Sequence, residues 1–194
     1  MFEDNLIKTT DILLKLACKF FAVKLNISDE EMKNINISSV QSISGAAGIC
    51  WGIYDDDGKL IKIDIHLKLS ASAIGMVDVL AHEMVHAKQH LDGEFSFVRQ
   101  PIVWWLPFIT KEYMVHNEQI LAKTPYYEQV CEQKAFSSSR ELTRQFLNFV
   151  EVLEKDGALL EQKEERFTMQ YVRDSLQIEA DRVPEFSIPQ PDYT

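Results

Sequence analysis

Leu80-Ala81-His82-Glu83-Met84-Val85-His86-Ala87-Lys88-Gln89 is the stretch that decides how this chain is read. Two histidines four residues apart stand about 40° from each other around a helix of about 3.6 residues per turn, so both imidazoles reach one metal ion. Glu83 falls on the flank of the same face, placed to hold a water beside the ion without ligating it. The flanks are helical in pattern: Ile74, Val77, Leu80, Ala81, Met84, Val85 and Leu91 recur at helical spacing. Ser70 or Ser72 can cap the start and Asp92-Gly93 can end it, with Gly75 the one poor helix former inside.

Toward the N-terminus the pattern changes to strands. Leu60 to Leu67 alternates, with Ile61, Ile63, Ile65 and Leu67 on one face and Lys62, Asp64, His66 and Lys68 on the other, which leaves His66 exposed. Ile49 to Tyr54 reads as its hairpin partner. The Asp55-Asp56-Asp57-Gly58 turn between them lacks the spacing of a calcium loop. Val40 to Ile43 is a candidate first strand, and Asn26 to Asn36 a polar connection. Residues 4–25 form an amphipathic helix whose stripe includes Leu6, Ile7, Leu13, Leu14, Ala17, Phe20, Phe21 and Leu25.

Toward the C-terminus, residues 94–123 scatter aromatics among Pro101 and Pro107 and read as an irregular segment beside the active helix that can include a short strand, with Trp104 and Trp105 as core. Pro125 suits the first position of a helix capped by Thr124 and running to about Asp156-Gly157, with Ser137-Ser138-Ser139 as a candidate bend. Its inward residues would be Val130, Cys131, Ala135, Leu142, Phe146, Phe149, Val150 and Leu153. A further helix spans about 158–182. The expected fold class is α+β: an N-terminal helix, a small antiparallel sheet, the H-E-x-x-H helix and C-terminal helices. Residues 1–183 would be one domain and 184–194 an extended, proline-bearing tail.

A catalytic zinc site takes three protein ligands and keeps one position open, so a third ligand must come from elsewhere. The metzincin continuation would need a histidine where Asp92 stands. His90 lies one turn past His86, but three histidines on consecutive turns span about 12 Å along the axis, so His90 is expected behind the ligands or facing solvent. The acidic candidates are Glu112, Glu118, Glu128, Glu132, Glu179 and Asp181. Glu132 is favoured, because it lies early in the helix and Ala135 behind it allows a close helix approach; Glu128 and Glu179 stay open.

Bulk properties narrow the partners. The 194 residues carry a formal net charge of −10 with no clustered Lys/Arg stripe, which argues against a nucleic-acid surface and an anionic membrane surface. Cys18, Cys50 and Cys131 are widely spaced and odd in number, which favours reduced thiols over a disulfide framework. No signal peptide or membrane span is visible at this level, and the expected location is the cytoplasm.

With these residues in view, the chain resembles zincin metallopeptidases of the gluzincin type. It is most similar to small SprT-like and phage or bacterial metallopeptidases. The likeness rests on Leu80 to Gln89, the aromatic-rich segment after it, and Pro125-Tyr126-Tyr127-Glu128-Gln129-Val130-Cys131-Glu132-Gln133-Lys134-Ala135. It covers roughly residues 40–136. It departs in having Val130-Cys131 where Pro-Trp is common, and in lacking any C-x-x-C of a zinc ribbon. The resemblance implies a Zn²⁺ cofactor, with His82, His86 and Glu132 as ligands and Glu83 as general base.

The expected activity is therefore hydrolysis of a protein or peptide substrate by a zinc-dependent enzyme. His116, Tyr126 and Tyr127 are candidate donors to the oxyanion, and Gln89 a candidate to orient a ligand. The competing reading is a binding or assembly protein on the same scaffold, with the metal serving structure. Glu83 separates the two, because a structural site has no need of a base beside an open position. Cleavage of DNA-bound proteins, by analogy with the SprT-like group, is a third reading that the acidic balance disfavours.

Overall fold

A computed structural model describes residues 2–69, 72–101, 110–155 and 168–182. Helix α1 (Phe2–Lys24) and the short α2 (Asp29–Met32) lead into strands β1 (Ile35–Val40), β2 (Gly48–Tyr54) and β3 (Leu60–Lys68). Helix α3 (Ala73–Leu91) follows, then β4 (Phe95–Pro101), β5 (Thr110–His116) and β6 (Gln119–Ile120), then α4 (Val130–Lys155) and α5 (Met169–Arg182). The α+β class expected from sequence holds, but the first sheet is mixed, not antiparallel. Its order is β1-β3-β2, with β1 parallel to β3 and β2 antiparallel to it. The first strand also comes earlier than expected, because Ile35 and Ile37 alternate with Asn36 and Ser38 over the stretch read as a connection.

The alternation in β3 is real: Ile63, Ile65 and Leu67 are buried. Ile61 departs from it and is exposed, because the pairing steps from Ile53↔Lys62 to Tyr54↔Leu60 and leaves Ile61 as the bulged residue. His66 is half-buried, not exposed, with Ser38 Oγ 2.7 Å from its Nδ1. The Asp-rich turn is a solvated hairpin: Asp55 Oδ1 accepts from the amides of Asp57 (3.1 Å) and Lys59 (2.8 Å), and Gly58 sits at φ +77°.

Helix α3 runs through the middle of the fold, against α1, α4 and the β2–β3 hairpin. Ser72 Oγ accepts from Gly75 N at 3.2 Å at its start, and Gly93 takes φ +69° just past its end. Residues 94–123 are more regular than expected. Phe95 to Pro101 pairs with Thr110 to His116, and Val115 pairs on with Ile120, giving a second three-stranded sheet. Trp104 and Trp105 lie outside the described residues. Pro125 does not start α4. Its ψ of 140° is extended, a 3-10 turn spans Tyr126–Glu128, and the helix begins at Val130, whose side chain is exposed. Ser137 to Ser139 do not break the helix; Ser137 and Ser139 hydroxyls bond back to the carbonyls of Lys134 and Phe136.

The core is aromatic where α1 meets α4. Phe20 and Phe21 face Phe146 with ring centroids 5.5 and 5.7 Å away, and Phe149 lies 5.1 Å from Phe20. Each of these rings is buried. Truncating Phe146 to alanine is expected to cost about 3–5 kcal/mol, by lost transfer energy plus a cavity that surrounding rings fill only in part. Urea denaturation of the variant beside the parent protein checks this. Of the helix expected over 158–182, Met169–Arg182 is described, and Arg173 ties it to Asp29 at 2.7 Å. The proline-bearing tail lies outside the described residues. Among the described residues, no helix is long and apolar enough to cross a membrane.

Candidate metal centre

Two helices build the centre. Helix α3 supplies His82 and His86 from one face, and the first turn of α4 supplies Glu132. The two imidazole Nε2 atoms stand 3.1 Å apart. Glu132 Oε2 lies 3.2 Å from His82 Nε2, and Glu132 Oε1 lies 3.4 Å from His86 Nε2. Tetrahedral ligands at about 2.0–2.1 Å from an ion stand roughly 3.3 Å from one another, so the two Nε2 atoms and the Glu132 carboxylate are spaced as groups that could share one ion. His82, His86 and Glu132 together can therefore hold a metal ion. Glu128 is exposed on the preceding 3-10 turn, and Glu112 and Glu118 are also exposed. The side chains of Glu179 and Asp181 lie outside the described residues.

The ligands are oriented from behind. His86 Nδ1 is 2.7 Å from Gln89 Oε1, an oxygen that can only accept. The proton of His86 is thereby assigned to Nδ1, and Nε2 keeps its lone pair for the ion. Gln89 Nε2 donates at 3.4 Å to the carbonyl of Cys131, the residue before Glu132. One buried amide thus fixes a ligand on α3 and the start of the helix that brings the third ligand. Gln89→Leu is expected to weaken metal binding about 10–100-fold, the usual cost of losing such a partner. Competition against a chromophoric chelator measures it.

Charge in the centre follows from burial and pairing. Burial alone would raise the Glu132 carboxyl, but hydrogen bonds from His82, His86 and Tyr126, with the His86 charge, hold it well below the usual range. For His86, burial opposes the charged form, and the hydrogen bond and charge of Glu132 outweigh it to raise the pKa. Glu83 is 5% exposed, and burial raises its carboxyl despite the two nearby histidines.

A cleft of about 670 Å³ opens along α3 from Asp78 past the centre to His90. Residues 45–50 form one wall, and Tyr126, Tyr127, Glu132 and Phe136 form the other. Strand β2 comes close because it turns Gly48, Cys50 and Gly52 toward the helix. A Cβ on Gly48 would lie 2.7 Å from Glu83 Oε1, and one on Gly52 would lie 2.5 Å from His90 Nδ1. Among the described lining residues there is no Lys or Arg.

The structure brings Glu83, Tyr126 and Tyr127 to this cleft with the ligand set. Tyr126 donates its hydroxyl to Glu132, while Tyr127 is 76% exposed and stacks on Phe136 at 6.3 Å. His116 is not brought there. The β4–β5 pairing turns its ring inward behind Phe95, fully buried, with Nε2 2.9 Å from Glu94 Oε2. Glu94 also pairs with Lys134 of α4 and so fastens the second sheet to that helix. His90 is neither solvent-facing nor behind a ligand: it lines the cleft itself, with Tyr54 Oη 2.6 Å from its Nδ1. The sequence signal for this arrangement was the period-two Gly48-x-Cys50-x-Gly52, which marks a strand lying tight on a helix. No protein-family model, no curated protein and no solved structure matches the chain.

Proposed function

We propose that the protein is a zinc-dependent metallopeptidase, a hydrolase that cleaves internal peptide bonds. The observation that carries this reading is Glu83. It is a buried carboxylate facing the cleft, next to the histidine pair on the same helix and not a member of the ligand group. Two imidazoles and one carboxylate suit Zn²⁺ and leave an open position. A bound zinc ion polarises the scissile carbonyl and lowers the pKa of water toward about 7. Glu83 takes the proton from the attacking water and passes it to the leaving amine nitrogen. Its raised pKa brings it closer to the range in which it can do both. The Tyr126 hydroxyl, beside Glu132 in the cleft, is the donor assigned to the developing oxyanion.

Support for a peptide as substrate comes from β2. It is an edge strand in the order β1-β3-β2, and its residues Gly48 to Cys50 wall the cleft, so unpaired main-chain groups lie alongside the centre. The lack of a cationic side chain in the described lining leaves a free substrate carboxylate or a phosphate without a partner, which favours bonds within a chain. The test is metal content by mass spectrometry, together with hydrolysis of mixed-sequence capped peptides. One zinc per chain, with cleavage lost on chelation and restored by zinc, is the expected result. Stoichiometric metal with no cleavage would instead support a metal-stabilised binding protein.

A further inference from the structure

Beyond the ligands, the floor of the cleft holds one polar group in apolar surroundings. His90 is 4% exposed. Phe95 covers one side of its ring at 4.2 Å, and Gly52 leaves room on another side for Nδ1. Tyr54 Oη lies 2.6 Å from His90 Nδ1, and no other acceptor for its hydroxyl is described, so the tautomer that satisfies both groups has the Tyr54 hydroxyl donating to Nδ1. That bond assigns the His90 proton to Nε2. Nε2 has no partner among the described hydrogen bonds, yet among the described residues the one buried polar side-chain atom without a partner is His116 Nδ1. His90 Nε2 is therefore reached from the cleft, which His90 lines. Burial also holds this imidazole near pKa 4, so it is a neutral donor at ordinary pH.

The second sheet follows the C-terminal end of α3 and sets Phe95 against His90, and Met114 of that sheet and Leu121 just after it also line the cleft. His90 lies about 6 Å along the axis beyond His86, the reach of one long side chain from a bond held at the centre. We infer that this end of the cleft is a side-chain subsite, selective for a long uncharged residue with an acceptor oxygen at its tip, glutamine or tyrosine. Which bond it flanks rests on the peptidase reading above. Apolar side chains would bury the Nε2–H unpaired. Lysine and arginine present only donors. Carboxylates meet apolar walls, Glu83 and Glu132, with no cation in the described lining.

The experiment uses zinc-loaded Glu83→Gln protein, so that binding is read without turnover. Capped alanine heptapeptides carry Gln, Tyr, Leu, Lys or Glu at each position in turn, and the His90 Nε2–H signal is followed by ¹⁵N NMR. The expected result is binding of the Gln and Tyr peptides about fivefold tighter than the others at one position, with a shift of that signal. The preference should vanish in His90→Leu and weaken in Tyr54→Phe, whose ring loses its fixed tautomer. Equal affinity for all peptides, or no movement of the His90 signal, overturns the subsite. Preference in the Glu83→Gln protein with no cleavage by the parent protein would keep the subsite and remove the peptidase.

Discussion

Glutamine in place of Glu83 is expected to slow peptide hydrolysis at least about 10³-fold while leaving the bound metal in place, within the range general acid–base groups contribute. The substitution keeps size and hydrogen-bonding capacity and removes the ability to take a proton. Glu83 is not among the three ligand atoms, so metal content should not change. Metal analysis alongside initial rates separates the two effects; a variant that loses metal in step with activity would make Glu83 a ligand and sink its role as base. A companion change acts without touching the carboxylate. Gly48→Ala places a methyl 2.7 Å from Glu83 Oε1 and 2.5 Å from Val79 Cγ1, so either the base or the strand must move. A drop in kcat of about 10–10²-fold with metal retained is expected, since small misplacements of a reacting group are costly.

The parts of this site that were legible in sequence are those written locally. The histidine pair, Glu83 beside it and the caps of α3 are fixed by spacings within one helix, and Ser72 and Gly93 sit where expected. Glu132 was favoured among several acids for its place early in a helix with Ala135 behind it, and Ala135 is fully buried. What was not legible depends on pairing across the chain. The parallel union of β1 with β3 joins residues 28 apart in sequence, such as Asn36 and Asp64, and no local pattern specifies it. The β4–β5 pairing is only partly legible, because Pro101 and Pro107 interrupt the strand pattern. Pro101 sits at a strand end, where a missing amide is tolerated. Pro125 misled in the opposite sense: it looks like a helix start, but Gln129 beyond it is extended and spends its side chain on the carbonyls of Leu121 and Thr124, which delays the helix to Val130. The two histidines differ from expectation for separate reasons: β4–β5 pairing turns His116 inward, while the face of α3 that carries His90 lies under β2 and the cleft.

Replacing Glu132 with alanine is expected to lower zinc affinity by on the order of 10³-fold or more, because two imidazoles on one helix remain and, among the described residues, no other acid belongs to the ligand group. Glu128→Ala, on the exposed turn before α4, should bind zinc as the parent does and serves as the control. Equal losses in both variants would point to disruption of α4 rather than of a ligand. The pH dependence gives a second readout. Without metal, the His86 pKa is raised, so its proton contributes stability that is present below the unfolded value and is lost as pH rises through the folded value. Zinc needs the same Nε2 free of a proton, so apparent affinity falls as pH drops through that raised pKa and levels off above it. Glu132 does not limit binding in this window, because its carboxyl is held well below the usual range and stays ionised. In Glu132→Ala the carboxylate that raises His86 is gone while burial still disfavours the imidazolium. The residual zinc binding should therefore be weaker and should also persist to lower pH before protons displace it. A weaker affinity with an unshifted pH midpoint would mean that Glu132 does not act on His86, and would remove it from the ligand set.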